Sequence, residues 1–187
     1  GFRGEALAAI ASVSQVTLIS ARPEAASGWV VRVAEGGTPI GPEPAAGAAG
    51  TTVEVRDLFA AIPARRRFLR SARTETAHVT DTVRRLALCH PAISFRLVLD
   101  GRQTLALRAA PGPDGAARRV ADVCGDSFLA RAAHVNREAG EMRITGWVAP
   151  VAAARNQADV QYLSLNGRPL RDPVLQRAIR RAHDDAL

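Results

Sequence analysis

The stretch Gly1-Phe2-Arg3-Gly4-Glu5-Ala6-Leu7 leads straight into an apolar helical pattern that continues to Ile10. Two glycines flank a basic residue immediately before this pattern. A glycine-hinged loop that feeds a helix start offers unpaired backbone N–H groups and the positive end of the helix dipole, which favour an anion. Two glycines alone also fit a flexible turn before an ordinary helix. The heptad therefore predicts a short helix that begins at either an anion cradle or a plain turn.

Three further segments carry recognisable patterns. They are Gly50-Thr51-Thr52-Val53-Glu54-Val55-Arg56-Asp57-Leu58-Phe59, Pro63-Ala64-Arg65-Arg66-Arg67-Phe68-Leu69 and Gln161-Tyr162-Leu163-Ser164-Leu165-Asn166-Gly167-Arg168-Pro169-Leu170-Arg171-Asp172. With the opening heptad, they are similar to the GFRGEAL, GTxVxVxxLF, PARRKFL and QYxxxNGRxxRD motifs of the MutL mismatch-repair ATPases. That family belongs to the GHKL superfamily, together with DNA gyrase and Hsp90. The four motifs occur in the family's order and cover essentially the whole chain.

The resemblance implies an α+β fold in which the C-terminal part of a GHKL ATPase α/β sandwich precedes a transducer domain of mixed strands and helices. Residues 1–72 are expected to form the ATPase part, and residues 73–187 a transducer truncated at its C-terminus. The one methionine is Met142, so Gly1 is not an initiator and we expect an internal fragment of a longer protein. The family usually has Asn between LF and PAR. This chain reads Ala60-Ala61-Ile62 there, so the polar contact of that Asn is not carried over.

Residue patterns in the first part of the chain predict strands and connections without the resemblance. A short helix is expected at 5–12. Alternating or Val-rich runs predict strands at 16–21, 29–33 and 51–55. The proline-rich stretch 36–50 predicts a turn-rich connection between two of these strands. The arginines after Pro63 are expected in a short loop.

The second part predicts helices alternating with hairpins. A helix is expected at 75–88, and its predicted apolar face consists of Val79, Val83, Leu86 and Ala87. Asp100-Gly101 and Asn166-Gly167 are strong signals for two-residue hairpin turns. Another helix is expected at 117–124, ended by Gly125, and Asp172 before Pro173 predicts an N-cap that opens a helix reaching His183. This mixed order favours an α+β class.

The resemblance implies ATP and Mg²⁺ as cofactors, because the matching heptad caps the triphosphate of ATP in the family. The nucleotide-binding residues that it implies in this chain are Arg3, Gly4, Glu5, Ala6, Leu7 and Thr51. The Thr51 hydroxyl either assists phosphate binding or belongs to an ordinary β-branched residue that starts a strand. In the family, the catalytic Glu and the Mg²⁺-binding Asn lie upstream of Gly1, and the phosphate-contacting Lys lies beyond Leu187. No catalytic residue and no metal ligand are therefore expected here, and this chain alone is predicted to lack ATPase activity.

Arginines near the end of the chain are the predicted DNA contacts. Arg168 follows the Asn166-Gly167 turn, which projects the next side chain outward, and Arg171 follows it. Guanidinium groups pair well with phosphate oxygens, and such contacts position DNA without reading its sequence. The family's NGR arginine is implicated in DNA binding, and the alternative for Arg168 is a solvated turn. The run Arg65, Arg66 and Arg67 is either a solvated or ion-paired turn, or contributes to the nucleotide lid or a partner subunit.

The composition is basic, with 25 basic residues, all of them Arg, against 18 acidic residues, for a net charge of +7. A net positive surface attracts phosphate backbones in a salt-dependent manner. The few aromatic residues are scattered, so a base-stacking platform for single strands is poorly supported. Cys89 and Cys124 form no CxxC pattern, and Cys89 is expected to be a buried free thiol. The histidines lack metal-ligand spacing.

The function predicted from the sequence is that of part of a MutL-type protein, an ATP-operated dimeric clamp that couples mismatch recognition to downstream repair. The expected partners are double-stranded DNA, a MutS-type mismatch-recognition protein and a second copy in a homodimer. No membrane span or signal peptide is visible, and a cytoplasmic setting is expected. The alternatives are a non-enzymatic DNA-binding or interaction module, and a fragment of another GHKL protein such as a type II topoisomerase.

Overall fold

The computed structural model describes residues 5–149 and 161–184. The chain divides into two compact units, Gly1–Ser71 and Ala72–Leu187, called here the N-unit and the C-unit. Elements of the N-unit are α1 (Ala6–Ala11), β1 (Gln15–Ala21), β2 (Gly28–Val33), β3 (Ile40–Ala45), β4 (Gly50–Arg56) and α2 (Pro63–Arg66). Those of the C-unit are α3 (Ala72–Cys89), β5 (Phe95–Leu99), β6 (Arg102–Leu107), α4 (Gly115–Cys124), α5 (Asp126–Leu129), β7 (Ala133–Ala139), β8 (Met142–Val148), β9 (Leu163–Leu165), β10 (Arg168–Leu170) and α6 (Pro173–Asp184).

The N-unit is built on an antiparallel sheet with the strand order β3-β2-β1-β4. Strand β1 lies centrally, with Val16 opposite Val33 on one side and opposite Val55 on the other. The branched side chains of these strands suit a pleated, half-buried surface, and Val16 and Val30 are buried. The buried Ser14, between α1 and β1, satisfies its hydroxyl by donating to the Ile10 carbonyl at 2.6 Å. Helix α1 is thereby tied to the start of the central strand.

The stretch predicted as a turn-rich connection, residues 36–50, contains the strand β3, so that prediction is wrong. Strand β3 pairs with β2 at the edge of the sheet, with Gly28 opposite Ala45 and Trp29 opposite Pro44. Proline lacks a backbone donor but is tolerated on an edge strand, where one row of N–H groups needs no ladder partner. The prolines conceal the strand in the sequence, because proline fits a strand only at an edge and an edge position is a property of the fold.

A second correction concerns the arginines after Pro63. They were expected in a loop, but Pro63–Arg66 forms the short helix α2, with Pro63 in its first turn and Arg67 as its C-cap. Proline is favoured at the first helical position because its missing N–H would have no partner there. The side chains of Arg65, Arg66 and Arg67 are all exposed.

The C-unit places its longest helix, α3, against α4, β5 and β10. Strands β5–β6, β7–β8 and β9–β10 each form a two-stranded antiparallel sheet. In hairpin β5–β6, Asp100 and Gly101 have φ values of 49° and 76°; in hairpin β9–β10, Asn166 and Gly167 have 49° and 74°. Two consecutive positive φ values suit the tight turns that match strand twist, so both turn predictions are confirmed. The α+β fold class is confirmed as well.

Helix boundaries in the C-unit follow local signals closely. Gly125 ends α4 with φ of 96°, and the Asp172 carboxylate caps α6 by accepting a hydrogen bond from the Leu175 N–H at 2.8 Å. The predicted apolar face of α3 is only partly correct. Ala87 is completely buried, but Val79 is 43% and Leu86 38% exposed. Contact with α4 falls near Ala87, and Val79 lies about two helical turns before it.

Candidate nucleotide-lid segment and DNA interface

Helix α1 begins at the described end of the opening heptad. Glu5 is its N-cap and accepts the first helical hydrogen bond, from the Ala9 N–H at 2.8 Å, but its side chain forms no cap hydrogen bond. Glu5, Ala6 and Leu7 are exposed, so the first-turn N–H groups are not covered by the Glu5 side chain. Arg3 and Gly4 lie outside the described residues. These features suit an external hydrogen-bond acceptor, such as a phosphate, at the start of the helix.

Thr51 lies on strand β4, directly opposite Ser20 of β1. Its hydroxyl oxygen is 2.9 Å from that of Ser20, in a hydrogen bond that either group can donate. The Thr51 hydroxyl therefore has a partner within the sheet, as expected for a structural strand residue. Its exposure leaves its second hydrogen-bonding capacity open to solvent or to a ligand.

The segment with hairpin β9–β10 is bound to helix α3 through charged and aromatic side chains. We refer to Asp81, Arg85, Tyr162 and Arg171 as the Asp81 cluster. Asp81 Oδ2 accepts hydrogen bonds from Arg85 Nε at 2.7 Å and from Arg171 Nη2. The Arg85 guanidinium lies over the Tyr162 ring at 5.0 Å and donates to the Gln161 carbonyl at 3.3 Å. Both ends of hairpin β9–β10 are thus held on α3.

The predicted DNA contacts Arg168 and Arg171 have different surroundings. Arg168 is exposed next to the Asn166-Gly167 turn, and it forms no ion pair with any described residue. Arg171 is half-exposed, and its guanidinium is engaged by the Asp81 carboxylate. A phosphate at Arg171 has to share or displace that carboxylate, whereas Arg168 is available as it stands.

Burial raises the pKa of the Asp81 carboxyl, but the hydrogen bonds and positive charges of Arg85 and Arg171 outweigh this effect. The net result is a pKa below the ordinary value, so Asp81 is ionised at neutral pH. Burial, and to a lesser degree the charge of Asp81, raise the pKa of the Tyr162 phenol, which therefore stays protonated beneath the Arg85 guanidinium.

The two cysteines are free thiols with intermediate exposure. Burial raises the pKa of both, and a hydrogen bond with Ser164 opposes this effect at Cys89. Cys89 is therefore free as predicted, but half-buried instead of buried. Within residues 5–149 and 161–184, no group of three or more His, Cys, Asp or Glu is placed to hold a metal ion. None of the helices described is long and apolar enough to cross a bilayer.

Matches to curated relatives cover the whole chain, whereas a family model matches its C-terminal part. The family described as "DNA mismatch repair protein, C-terminal domain" matches residues 120–187. The chain is 47% identical to the DNA mismatch repair protein MutL of Cellvibrio japonicus and 46% identical to that of Azotobacter vinelandii. These matches cover 100% of this chain, and 30% and 29% of the relatives. The solved structure of the Aquifex aeolicus MutL ATPase domain complexed with ADP has a TM-score of 0.77 at 31% identity, over 97% of this chain and 69% of that one. The chain belongs to the MutL family of DNA mismatch repair proteins. It spans about 30% of the length of these curated MutL relatives.

Two residues of this MutL family chain were missed in the sequence analysis. Arg119 is completely buried on α4 and donates to the carbonyls of four residues at 2.7–3.0 Å, namely Ala87, Pro91, Ile93 and Arg108. Its Nε has no described partner, and its guanidinium lies 5.7 Å from the Phe95 ring. One signal was readable, because Arg118 has Asp122 four residues later, whereas the same position after Arg119 is Val123.

Asp81 is the other missed residue. Its pair with Arg85 has the helical spacing of four residues, which the sequence displays. Its contact with Arg171 joins positions 90 residues apart and has no local signal. The MutL motif named Arg171 as a candidate without naming its partner.

Proposed function

We propose that this chain provides the nucleotide-lid motif and a DNA-contacting surface of a MutL-type, ATP-operated dimeric clamp that couples mismatch recognition to downstream repair. Residues 1–72 are the end of the ATPase domain and residues 73–187 belong to the transducer. The partners are double-stranded DNA, a MutS-type mismatch-recognition protein and a second copy of the protein. The observation that carries the DNA assignment is the exposed Arg168, beside the turn of a hairpin that is fixed to α3 at both ends.

Nucleotide binding is supported by the ADP in the similar Aquifex aeolicus domain and by the exposed start of α1. In this proposal, the backbone N–H groups of the motif from Arg3 to Leu7 would bind the phosphates, and a glycine at position 4 would permit a close backbone approach. Magnesium bound with ATP supplies charge neutralisation of the phosphates, through ligands outside this chain. ATP binding orders the lid and brings two ATPase domains together, and hydrolysis releases them.

DNA binding is supported by the net charge of +7 and by the position of Arg168. Guanidinium groups bind phosphate oxygens through charge-assisted hydrogen bonds, which fix the position of a duplex without reading its sequence. The rival assignment is a solvated turn residue. It requires that Arg168 contribute no more to DNA affinity than any other exposed arginine beside a hairpin turn.

The chain contains a matched control for that comparison. Arg102 follows the Asp100-Gly101 turn in hairpin β5–β6 as Arg168 follows Asn166-Gly167, and both arginines are exposed. Duplex affinity of the full-length protein should fall for every DNA sequence after Arg168→Glu and stay unchanged after Arg102→Glu. Arg168→Ala should reduce the slope of log affinity against log salt by about 0.9, the value for one phosphate contact.

Titrations at several salt concentrations measure both quantities, and melting curves verify that each variant is folded. Equal losses of duplex affinity in Arg168→Glu and Arg102→Glu would mean that the effect comes from net charge and not from the position of Arg168. If duplex affinity and its salt dependence are unchanged in folded Arg168 variants, this arginine is a solvated turn residue without a DNA contact.

A further inference from the structure

The Asp81 carboxylate joins the two ends of hairpin β9–β10 to helix α3. Arg171 directly follows β10 and binds Asp81 itself. On the other side, Gln161 and Tyr162 directly precede β9 and contact Arg85, whose guanidinium is held by the same carboxylate oxygen. A single side chain of α3 therefore organises the contacts at both ends of the hairpin.

The hairpin has little else of its own to fix its direction. Each strand has three residues, with Leu163 opposite Leu170 and Leu165 opposite Arg168. An isolated two-stranded hairpin is marginally stable in water, and Leu165, beside the turn, is 61% exposed. Apart from the packing of β10 on α3 and the hydrogen bond between Cys89 and Ser164, the contacts that hold the hairpin on α3 lie at its open end, where the Asp81 cluster is.

The cluster is sheltered enough to have a single geometry. The side chain of Arg85 is 11% exposed and that of Asp81 is 26% exposed. Partly buried, charge-assisted hydrogen bonds are stronger and better oriented than exposed ion pairs. The lowered pKa of Asp81 reflects the same arrangement, because both guanidinium groups favour the ionised carboxylate.

We propose that Asp81 is the positioning residue for Arg168, holding hairpin β9–β10 in the orientation that presents Arg168 to the DNA backbone. This inference rests on the proposed function, because it takes Arg168 as a phosphate contact. It predicts a change in DNA affinity opposite in sign to the change expected from net charge alone. Removing an acidic residue from a DNA-binding surface normally strengthens binding to a polyanion, whereas removing the Asp81 carboxylate weakens it.

The test compares Asp81→Asn with Asp122→Asn in the full-length protein. Asp122 is also paired with an arginine at helical spacing, Arg118, but it lies on α4 and has no described contact with hairpin β9–β10. Each substitution removes one negative charge and keeps the side-chain size. Duplex affinity should fall about threefold to tenfold in Asp81→Asn, a range typical of coupled neighbouring side chains. Affinity in Asp122→Asn should stay equal or rise slightly.

A double-mutant cycle separates positioning from a general structural role. In an Arg168→Ala background, Asp81→Asn should cause no further loss of affinity, since the arginine that it positions is gone. Amide hydrogen exchange in the absence of DNA should be faster at residues 163–170 in Asp81→Asn, and unchanged there in Asp122→Asn. Asp81→Glu, which retains the charge with a longer side chain, should restore part of the affinity.

The outcomes distinguish the two proposals. If Arg168→Ala alone leaves affinity unchanged, the DNA role of Arg168 fails, and the exchange measurement still decides whether Asp81 orders the hairpin. If Asp81→Asn strengthens binding, Arg171 acts as a phosphate ligand when released, and the positioning role is overturned. Equal losses from Asp81→Asn in the presence and absence of Arg168 also overturn it. If Asp81→Asn does not fold, Asp81→Glu carries the cycle, with the same expectations at smaller amplitude.

Discussion

Hairpins β5–β6 and β9–β10 have the same turn design, but they are attached to the C-unit in different ways. Each turn has two residues in the left-handed region, and each is followed by an exposed arginine. At the open end of β5–β6, the buried Arg119 donates to the carbonyls of Ile93, before β5, and Arg108, after β6. At the open end of β9–β10, the half-buried carboxylate of Asp81 performs the equivalent task from α3.

The difference lies in what each attachment permits. A guanidinium enclosed by carbonyls cannot exchange its partners for water without exposing the interior, so the open end of hairpin β5–β6 is attached to the core. A carboxylate near the surface can be protonated, and it can lose an arginine to a competing anion. Hairpin β9–β10 can therefore be released from α3 when Asp81 is protonated or when an anion takes its arginine, whereas the open end of β5–β6 cannot be released without opening the core.

The largest effect that tests this contrast is expected at Arg119. Arg119→Met keeps most of the side-chain volume but removes the guanidinium donor from four carbonyls, of which those of Ala87 and Pro91 retain a backbone donor. The free energy of unfolding should therefore fall by about 2 kcal/mol or more. The adjacent Arg118 has a side chain that is 75% exposed. Arg118→Met should therefore change the free energy of unfolding by no more than about 0.5 kcal/mol. Denaturant titrations of both variants provide the comparison, and similar losses would show that Arg119 is not a core attachment.

A smaller and more local effect is expected from the turn glycines. Gly101 and Gly167 have positive φ, and a Cβ at either would meet no atom within 4 Å, so Ala introduces backbone strain without a clash. The strain is about 1 kcal/mol in both cases. Gly101→Ala should lower the global free energy of unfolding by this amount. Gly167→Ala should instead accelerate amide exchange at residues 163–170, with less global loss, because its hairpin opens separately. Identical global losses would contradict the distinction between the two hairpins.

Local signals in the sequence were sufficient for the turns and helix ends. The Asp100-Gly101 and Asn166-Gly167 dipeptides, the Asp172 cap and Gly125 each act through a few neighbouring residues, and the structure has them as predicted. The missed features depend on tertiary position. Strand β3 is tolerable with its prolines only because it lies at an edge.

The same reasoning applies to the candidate site. Arg168 was found from its turn and its motif, both of which are local. The pairing of Arg171 with Asp81 joins residues 90 positions apart and could not be found without the fold. Arg119 is buried among apolar side chains, whereas its residue type alone predicts a position at the surface.

The smallest expected effect is a dependence on acid that separates the hairpins. The folded-state pKa of Asp81 lies below the ordinary carboxyl value of about 3.9. A lowered carboxyl pKa stabilises the folded state at pH values above the unfolded pKa, and this stabilisation is lost as the pH falls through the folded pKa. Below about pH 4, hairpin β9–β10 should therefore loosen, whereas β5–β6 should not, because the Arg119 guanidinium keeps its charge throughout the acid range.

The acid effect should be about 1 kcal/mol or less, since Asp81 is partly exposed and screened by solvent. Amide exchange, corrected for its intrinsic pH dependence, can be followed in both hairpins from neutral pH into the acid range. Asp81→Asn is the control, because an amide has no proton to gain and its exchange at residues 163–170 should be fast at every pH. Parallel loosening of the two hairpins would mean that general acid unfolding dominates. An increase in exchange of β9–β10 with falling pH that persists in Asp81→Asn would assign the titration to a carboxylate other than Asp81.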